Sequence, residues 1–270
     1  AGMEAELEAA LDRVRAAAVP WEAISRANFP LGGPRIAALL DTVADALERG
    51  RGLAKLTGMP VAGLDDADLR RLWMGIGVWP GTPVSQSATG LRMKIIADEG
   101  ATVGQVYGQM QNRDGSAFLS SYARAVSNGA LRFHTDRTDV VGLLCAGQSA
   151  EGGLSKVAST GAIHNEMLRR RPDLLEELFR PYPRSRLGEE TGGDDLVYFL
   201  PVFDMVDGHF TSHYSRTYIE AAQKLADVPT LTDAQEAALD LIGEIGEEVC
   251  YRMRLAPGDV QLLNNHLVYH

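Results

Sequence analysis

No run of apolar residues in this 270-residue chain reaches the roughly 18 that a membrane-spanning helix needs. Cysteine is scarce. Cys145 and Cys250 are the only two, too few for a disulfide framework in a chain of this length. Both stand in apolar company, "GLLCAG" and "EEVCYRM", which reads as buried free thiols in a reducing, cytoplasmic setting. Clustered Lys and Arg are missing too. With 26 basic against 36 acidic residues the formal net charge is −10. Nucleic acid and anionic membrane surfaces need clustered basic residues, so neither is an expected partner. An acidic balance of this size serves solubility. The charge balance is silent on a small-molecule substrate or a homo-oligomer, and both stay compatible with it. The opening stretch, "AGMEAELEAALDRVRAAA", is acidic and amphipathic, unlike a signal peptide.

What is present is an ordinary globular mixture, 45% hydrophobic and 23% charged, ample for a sizeable core. The first third reads as mostly helical. Residues 4–18 place Leu7, Leu11 and Val14 on one face, and 35–48 carry Ile36, Leu39, Leu40, Val43 and Leu47. "GLAKLTGMPV" reads as a strand entering a turn, and Asp65 or Asp66 caps a helix through Leu69, Leu72 and Trp73. The middle turns strand-like. "GLRMKIIADEG" alternates, residues 104–111 read as a short strand, and "LRFHTDRTDVVGLLCAG" and "GGLSKVAS" show no helix period. A helix over "STGAIHNEMLRRR" follows, capped by Ser159 or Thr160 and ended by Pro172, and "DLLEELF" restarts with Asp173 as N-cap. "VYFLPVFDMVDGHFTSHYS" reads as a hairpin turning at Asp207-Gly208. Thr232 to Gln235 is a capping box, opening a helix with Leu239, Ile242, Ile245 and Val249. "APGDVQLLNNHLVYH" reads as a Pro-Gly turn and a strand pair. No repeat or linker divides the chain. The expectation is one α+β domain over 1–270: a mostly helical flank over 1–80 and a β core with inserted helices over 81–270.

The chemistry-bearing residues start with His134 and Asp136 in "FHTD". In a strand, residues i and i+2 share a face about 6–7 Å apart, so an imidazole and a carboxylate point to one spot while Thr135 faces away. The pattern alone is weak, because a surface strand with a local ion pair has it too. His266 and His270 are four apart, a spacing that shares a face in a strand or a helix. If His270 joins His134 and Asp136, two imidazoles and one carboxylate hold one side of a metal and leave the other open, which suits non-heme Fe(II). A tetrahedral zinc site from His134, His266 and His270 competes with it. His164 reads as a half-buried packing residue of its helix. His209 and His213 flank a hairpin strand, where they line a pocket or face water.

Taken in order, "FHTD" (133–136), "GGLS" (152–155), "APGDVQLLNN" (256–265) and His270 resemble the taurine-dioxygenase and TfdA-like family of Fe(II)/2-oxoglutarate-dependent dioxygenases. The resemblance spans the C-terminal half. It implies a double-stranded β-helix (a jelly-roll, cupin-like core) with flanking helices. It makes His134 and Asp136 the proximal ligands of a catalytic iron and His270 the distal one. Ser155 matches a position where the family often has a Thr that hydrogen-bonds the co-substrate carboxylate, and serine keeps that hydroxyl. Asn264-Asn265 stand where the family usually has Asp-Asn, so position 264 lacks the usual charge. The family also places an Arg some ten or more residues beyond the distal His, paired with the far carboxylate of 2-oxoglutarate. Nothing follows His270 here, so the natural chain is expected to continue. The implied reaction uses Fe(II), 2-oxoglutarate and O2. The co-substrate becomes succinate and CO2 while a substrate C–H bond is oxidised, most often by hydroxylation.

No motif names the substrate. Gln86, Gln109, Gln111, Arg137 and Arg216 are polar residues placed to reach it. Arg216 ranks first for a carboxylate because Tyr214 and Tyr218 flank it. The loop "GEETGGDD" over 188–195 reads as a lid, being too polar to offset its ordering entropy by burial. Two other functions stay open: a cupin-like zinc or nickel hydrolase or isomerase, and a non-catalytic jelly roll that binds a small ligand.

Overall fold

A computed structural model describes residues 2–86, 90–97, 131–185 and 195–270. In chain order its main elements are α1 (Gly2–Ala16), α2 (Pro34–Glu48), β1 (Leu53–Leu56), α3 (Asp66–Gly77), β2 (Val140–Leu144), β3 (Leu154–Ser159), α4 (Thr160–Arg170), α5 (Pro172–Leu178), β4 (Tyr182–Arg184), β5 (Tyr198–Leu200), β6 (Phe203–Val206), β7 (His209–Ser212), α6 (Arg216–Ala222), α7 (Asp233–Val249), β8 (Tyr251–Arg254), β9 (Val260–Asn264) and β10 (Val268–Tyr269). Helix and sheet are mixed, and among the described residues no helix is long and apolar enough to cross a membrane. Both cysteines are free thiols. The chain packs as two compact units, each assembled from segments distant in sequence. One comprises Ala1–Met93, Asp136–Ala162 and Val249–Tyr269, the other Lys94–Thr135, Ile163–Glu248 and His270.

The first unit holds two three-stranded antiparallel sheets, in the orders β1-β9-β2 and β10-β3-β8. Strand β9 is the pivot. It pairs Leu263 with Leu53 and Val141, and Val260 with Leu56 and Leu144. Alternation then splits its side chains. Val260 and Leu262 pack on Val43 and Leu47 of α2, while Leu263 packs with Val157 and Val268 of the other sheet. Burial on both faces explains why β9 reads as a nearly unbroken apolar run. The expected strand pair at the chain's end forms differently. A turn over residues 265–267 carries the chain from β9 in one sheet to β10 in the other, where Val268 and Tyr269 pair with Ser159 and Ala158. The Pro-Gly turn needs its glycine. Gly258 has φ +87°, and a Cβ there would lie 2.6 Å from the Met59 carbonyl oxygen. Asp259 closes the turn by accepting the Ala256 N–H at 2.9 Å and pairing with Lys55 Nζ at 2.7 Å. The helices α1 and α3 build a separate apolar cluster with Phe29 and Leu31, through Leu7, Leu11, Val14, Leu72 and Ile76. Asp65 caps α3 by accepting the Asp68 N–H at 2.9 Å.

In the second unit β4 pairs with β5 and β6 with β7. The β6–β7 turn is Asp207-Gly208, both left-handed at φ 50° and 80°, as a tight two-residue hairpin demands. The capping box of α7 is reciprocal. Thr232 Oγ1 accepts the Gln235 N–H at 3.2 Å and Gln235 Oε1 accepts the Thr232 N–H at 3.0 Å. Helix α5 corrects a sequence expectation. Pro172 is its first residue and Arg171 its N-cap, so Asp173 sits in the first turn. Proline's missing N–H costs nothing at that position. Two expected strands also differ. Residues 91–97 carry no regular structure, and before β2 the 131–139 stretch contains only an isolated bridge from His134 to Ser215. Residues 104–111 and the loop 188–195, Asp195 excepted, lie outside the described residues.

Helix α7 approaches the 131–135 segment so closely that a Cβ on Gly246 would lie 2.9 Å from the Phe133 ring. Gly246→Val should therefore lower stability by about 1–3 kcal/mol through overpacking, read as a lower midpoint in urea with an unchanged slope. Asp259 gives a pH test. The hydrogen bonds from Lys55 and the Ala256 N–H hold its carboxyl below the ordinary range. A depressed folded value means that its contribution is complete above about pH 4 and is lost as pH falls through the folded value. In acid titrations followed by circular dichroism, Asp259→Asn should begin less stable at neutral pH and lose less stability on the acid side.

Candidate metal centre

The extended stretch through His134 is held by pairing partners rather than by a sheet. His134 donates its N–H to the His270 carbonyl at 3.0 Å, and His270 donates back to His134 at 3.1 Å. Such a mutually bonded antiparallel pair places both side chains on one face. The two imidazole rings accordingly lie 4.4 Å apart between centroids, tilted by 48°. Asp136, two residues along, points the same way. His134, Asp136 and His270 each offer one ligand atom, and those atoms lie within 4.8 Å of one another. This is the only group of three metal-capable side chains found among the described residues. All three residues are partly exposed.

Thr135, between the first two ligands, faces the opposite way and is buried at 3% exposure. Its N–H donates to the Tyr214 carbonyl at 2.8 Å, and its Oγ1 accepts the Tyr214 N–H at 3.0 Å and meets His213 Nδ1 at 3.2 Å. Burial pushes the Tyr214 hydroxyl up to about 12, so that phenol stays neutral. Asn265, 2% exposed, clamps the segment that follows. Its Oδ1 accepts the Asp136 N–H at 3.0 Å, its Nδ2 donates to the Thr138 carbonyl at 2.9 Å, and its N–H donates to the Asp139 carbonyl at 2.9 Å.

The donor set fits a divalent iron. His134 Nδ1 lies 2.9 Å from the Arg132 carbonyl oxygen. A carbonyl only accepts, so Nδ1 carries the proton and Nε2 keeps the lone pair for a metal. One carboxylate and two imidazoles on one side are the facial set that leaves open positions. The zinc arrangement with His266 does not form. His266 sits in the turn after β9, exposed, with Nε2 3.1 Å from Asp139 Oδ1, because the turn breaks the periodicity that would have aligned it with His270.

The other expected residues have definite places. Ser155 on β3 donates its hydroxyl to Gln261 Oε1 on β9 at 2.6 Å. Asn264 donates Nδ2 to the Leu47 carbonyl at 3.0 Å, at the end of α2, and accepts the His266 N–H at 2.8 Å. An aspartate could not make the first of those bonds, which accounts for the neutral residue there. Arg216 is not free for a substrate. Its guanidinium pairs with Glu220 at 2.9 Å, Asp240 at 2.5 Å and Glu236 at 3.2 Å. Gln86 is exposed and closes a local loop, with Nε2 3.1 Å from the Arg92 carbonyl. Arg137 is exposed beside Asp136, and Gln109 and Gln111 lie outside the described residues. His164 packs edge-on against Phe210, Phe203 and Phe179 at 5.3, 5.7 and 6.1 Å, the packing role expected of it. Sequence reasoning missed Arg132 and Glu220, whose roles depend on partners far along the chain.

The family model described as "Taurine catabolism dioxygenase TauD, TfdA family" matches residues 13–270. FR-33289 synthase of Streptomyces rubellomurinus is 29% identical over 272 residues, covering 100% of this chain and 76% of that protein. An asparagine oxygenase solved with Fe(II), 2S,3S-3-hydroxyasparagine and succinate superposes at a TM-score of 0.60 with 15% identity, covering 97% of this chain and 76% of that one. The non-heme iron oxygenase OrfP, with iron, succinate and (3S)-hydroxy-L-Arg, gives 0.63 with 13% identity over 100% of this chain and 85% of that one. The chain therefore belongs to the TauD/TfdA family, and it is an Fe(II)- and 2-oxoglutarate-dependent dioxygenase.

Proposed function

We propose that this dioxygenase hydroxylates an amino acid or a closely related small molecule, with iron held by His134, Asp136 and His270. The convergence of those three ligand atoms within 4.8 Å carries the reading. The substrate class is supported by the similar structures, whose bound molecules include a hydroxylated asparagine and a hydroxylated arginine. The two three-stranded sheets are read as the facing halves of a double-stranded β-helix, with Ser155 on the inner face of one of them as a contact for the co-substrate carboxylate.

When bound, the iron supplies the oxidising power, drawing on O2 and 2-oxoglutarate. The residues of the chain supply position and charge. Asp136 contributes the single negative charge among the ligands. The Arg132 carbonyl keeps His134 in the tautomer that ligates through Nε2. The bonds of Asn265 and Thr135 fix the short segment bearing two of the three ligands, so the donor set is organised before a metal arrives.

The test is succinate formation from 2-oxoglutarate under Fe(II) and air, with a panel of amino acids as substrates and mass spectrometry for a gain of one oxygen. Coupled succinate and hydroxylated product are expected with one member of the panel. Metal binding with no succinate under any condition would remove the catalytic reading. Asp136→Ala should retain the circular dichroism of the parent and lose succinate formation by about 100-fold or more, since it deletes a ligand outright. Asn265→Ala should keep all three ligands yet weaken Fe(II) binding by about tenfold, measured by anaerobic titration, because Asp136 loses its clamp.

A further inference from the structure

We propose that Glu220 is a positioning residue of the metal centre: it holds Arg132, and Arg132 holds His134. The inference rests on the assignment of His134, Asp136 and His270 as the metal ligands. Its starting point is the carbonyl of Arg132, which accepts the His134 Nδ1–H at 2.9 Å and so decides which ring nitrogen is left for a metal. That carbonyl belongs to a residue outside any named strand, since the bridge at His134 is isolated. Among the described residues no ladder includes Arg132, and its side chain is tied down.

The guanidinium of Arg132 meets Glu220 in a two-pronged pair, at 2.8 Å to Oε1 and 2.7 Å to Oε2, and donates to Thr217 Oγ1 at 3.0 Å. A planar fork against a carboxylate sets orientation as well as distance. Glu220 is itself anchored. One turn earlier on α6, Arg216 donates to its Oε1 at 2.9 Å and reaches Asp240 and Glu236 on α7. The pair is half-buried, with side-chain exposures of 35% for Arg132 and 32% for Glu220, so it is less screened than a surface ion pair. Burial alone would raise the Glu220 carboxyl. The hydrogen bonds and charges of Arg132 and Arg216 outweigh burial and hold it below the ordinary range. Glu220 thus stays ionised with both oxygens engaged. The route from α6 to the metal ligand is two contacts long: carboxylate to guanidinium, then the carbonyl of that same arginine to the imidazole.

The experiment uses the metal-free protein and two readouts other than turnover. Mn(II) affinity is measured by calorimetry, and the His134 tautomer by two-bond 1H–15N imidazole spectra. Parent protein should show His134 protonated at Nδ1. Glu220→Ala should weaken Mn(II) binding by about tenfold and mix the two tautomers. Glu220→Gln, which keeps the volume, is measured beside it in case alanine disturbs α6. It should shift both readouts in the same direction. Glu248→Gln, on α7 but paired with Arg170 at 2.6 Å, should leave both unchanged, which separates positioning from general loosening of the helices. Adding Arg132→Ala to Glu220→Ala should cost no more than the single change, since both cut one route. Parent-like affinity and tautomer in Glu220→Gln and Glu220→Ala would overturn the proposal. His134→Ala keeps that failure distinct: if its Mn(II) affinity is also unchanged, the ligand assignment itself has failed, and if it is lost, only the role of Glu220 has.

Discussion

His134 and His270 exchange both backbone hydrogen bonds, at 3.0 and 3.1 Å, and the proposed metal centre depends on that exchange. One ligand comes from the middle of the chain and another from residue 270. Nothing in their local sequences makes them neighbours. The mutual pair does three things at once. It satisfies four backbone groups in a partly buried place, where leaving them unpaired would be costly. It sets the two rings on one face. It also fixes the register, so that Asp136, rather than Thr135 or Arg137, shares that face. A slip of one residue would turn the carboxylate away and bring Thr135 forward.

Around that pair, polar side chains do what ladders do elsewhere. Asn265 ties residues 136, 138 and 139, Thr135 ties the stretch to Tyr214 and His213, and Asn264 ties the end of β9 to the C-terminal turn of α2. Each tether is a neutral group able to donate and accept. That property matters close to a cation site. A second carboxylate in these positions would add charge beside Asp136 and could not bond to a carbonyl. The replacement of aspartate by Asn264 follows this logic, since its partner at Leu47 is an acceptor.

Local rules made much of the architecture legible. The capping box at Thr232, the Asp207-Gly208 turn and the apolar stripes of α1, α2 and α3 are written within a few residues, and each forms where its signal stands. The three proposed ligands come from a resemblance that links "FHTD" to His270. Spacing alone left His266 equally eligible, and only the turn at 265–267 decides against it. What could not be read depends on distant partners. The stretch 131–139 looks like a strand by composition, yet among the described residues it forms only an isolated bridge at His134 and the mutual pair with His270. Arg216 looks like an open cation beside aromatics, yet Glu236 and Asp240 lie 20 and 24 residues away on a helix that packs against it. Pro172 was read as a stop although the same residue is well suited to begin a helix.

The fate of Arg216 bears on how such a site selects its substrate. An arginine flanked by aromatics attracts a carboxylate only if its charge is not already answered. Here two arginines, Arg132 and Arg216, stand among three carboxylates, Glu220, Glu236 and Asp240, so the cluster carries an excess of negative charge. It would repel an anionic substrate rather than draw one in. Its arrangement suits a different purpose, that of a rigid brace between α6, α7 and the segment ahead of His134. Selectivity for a substrate carboxylate therefore calls for a cation elsewhere in the chain. The charged network on α6 and α7 belongs with the backbone pair of His134 and His270, as part of the proposed support of the ligands.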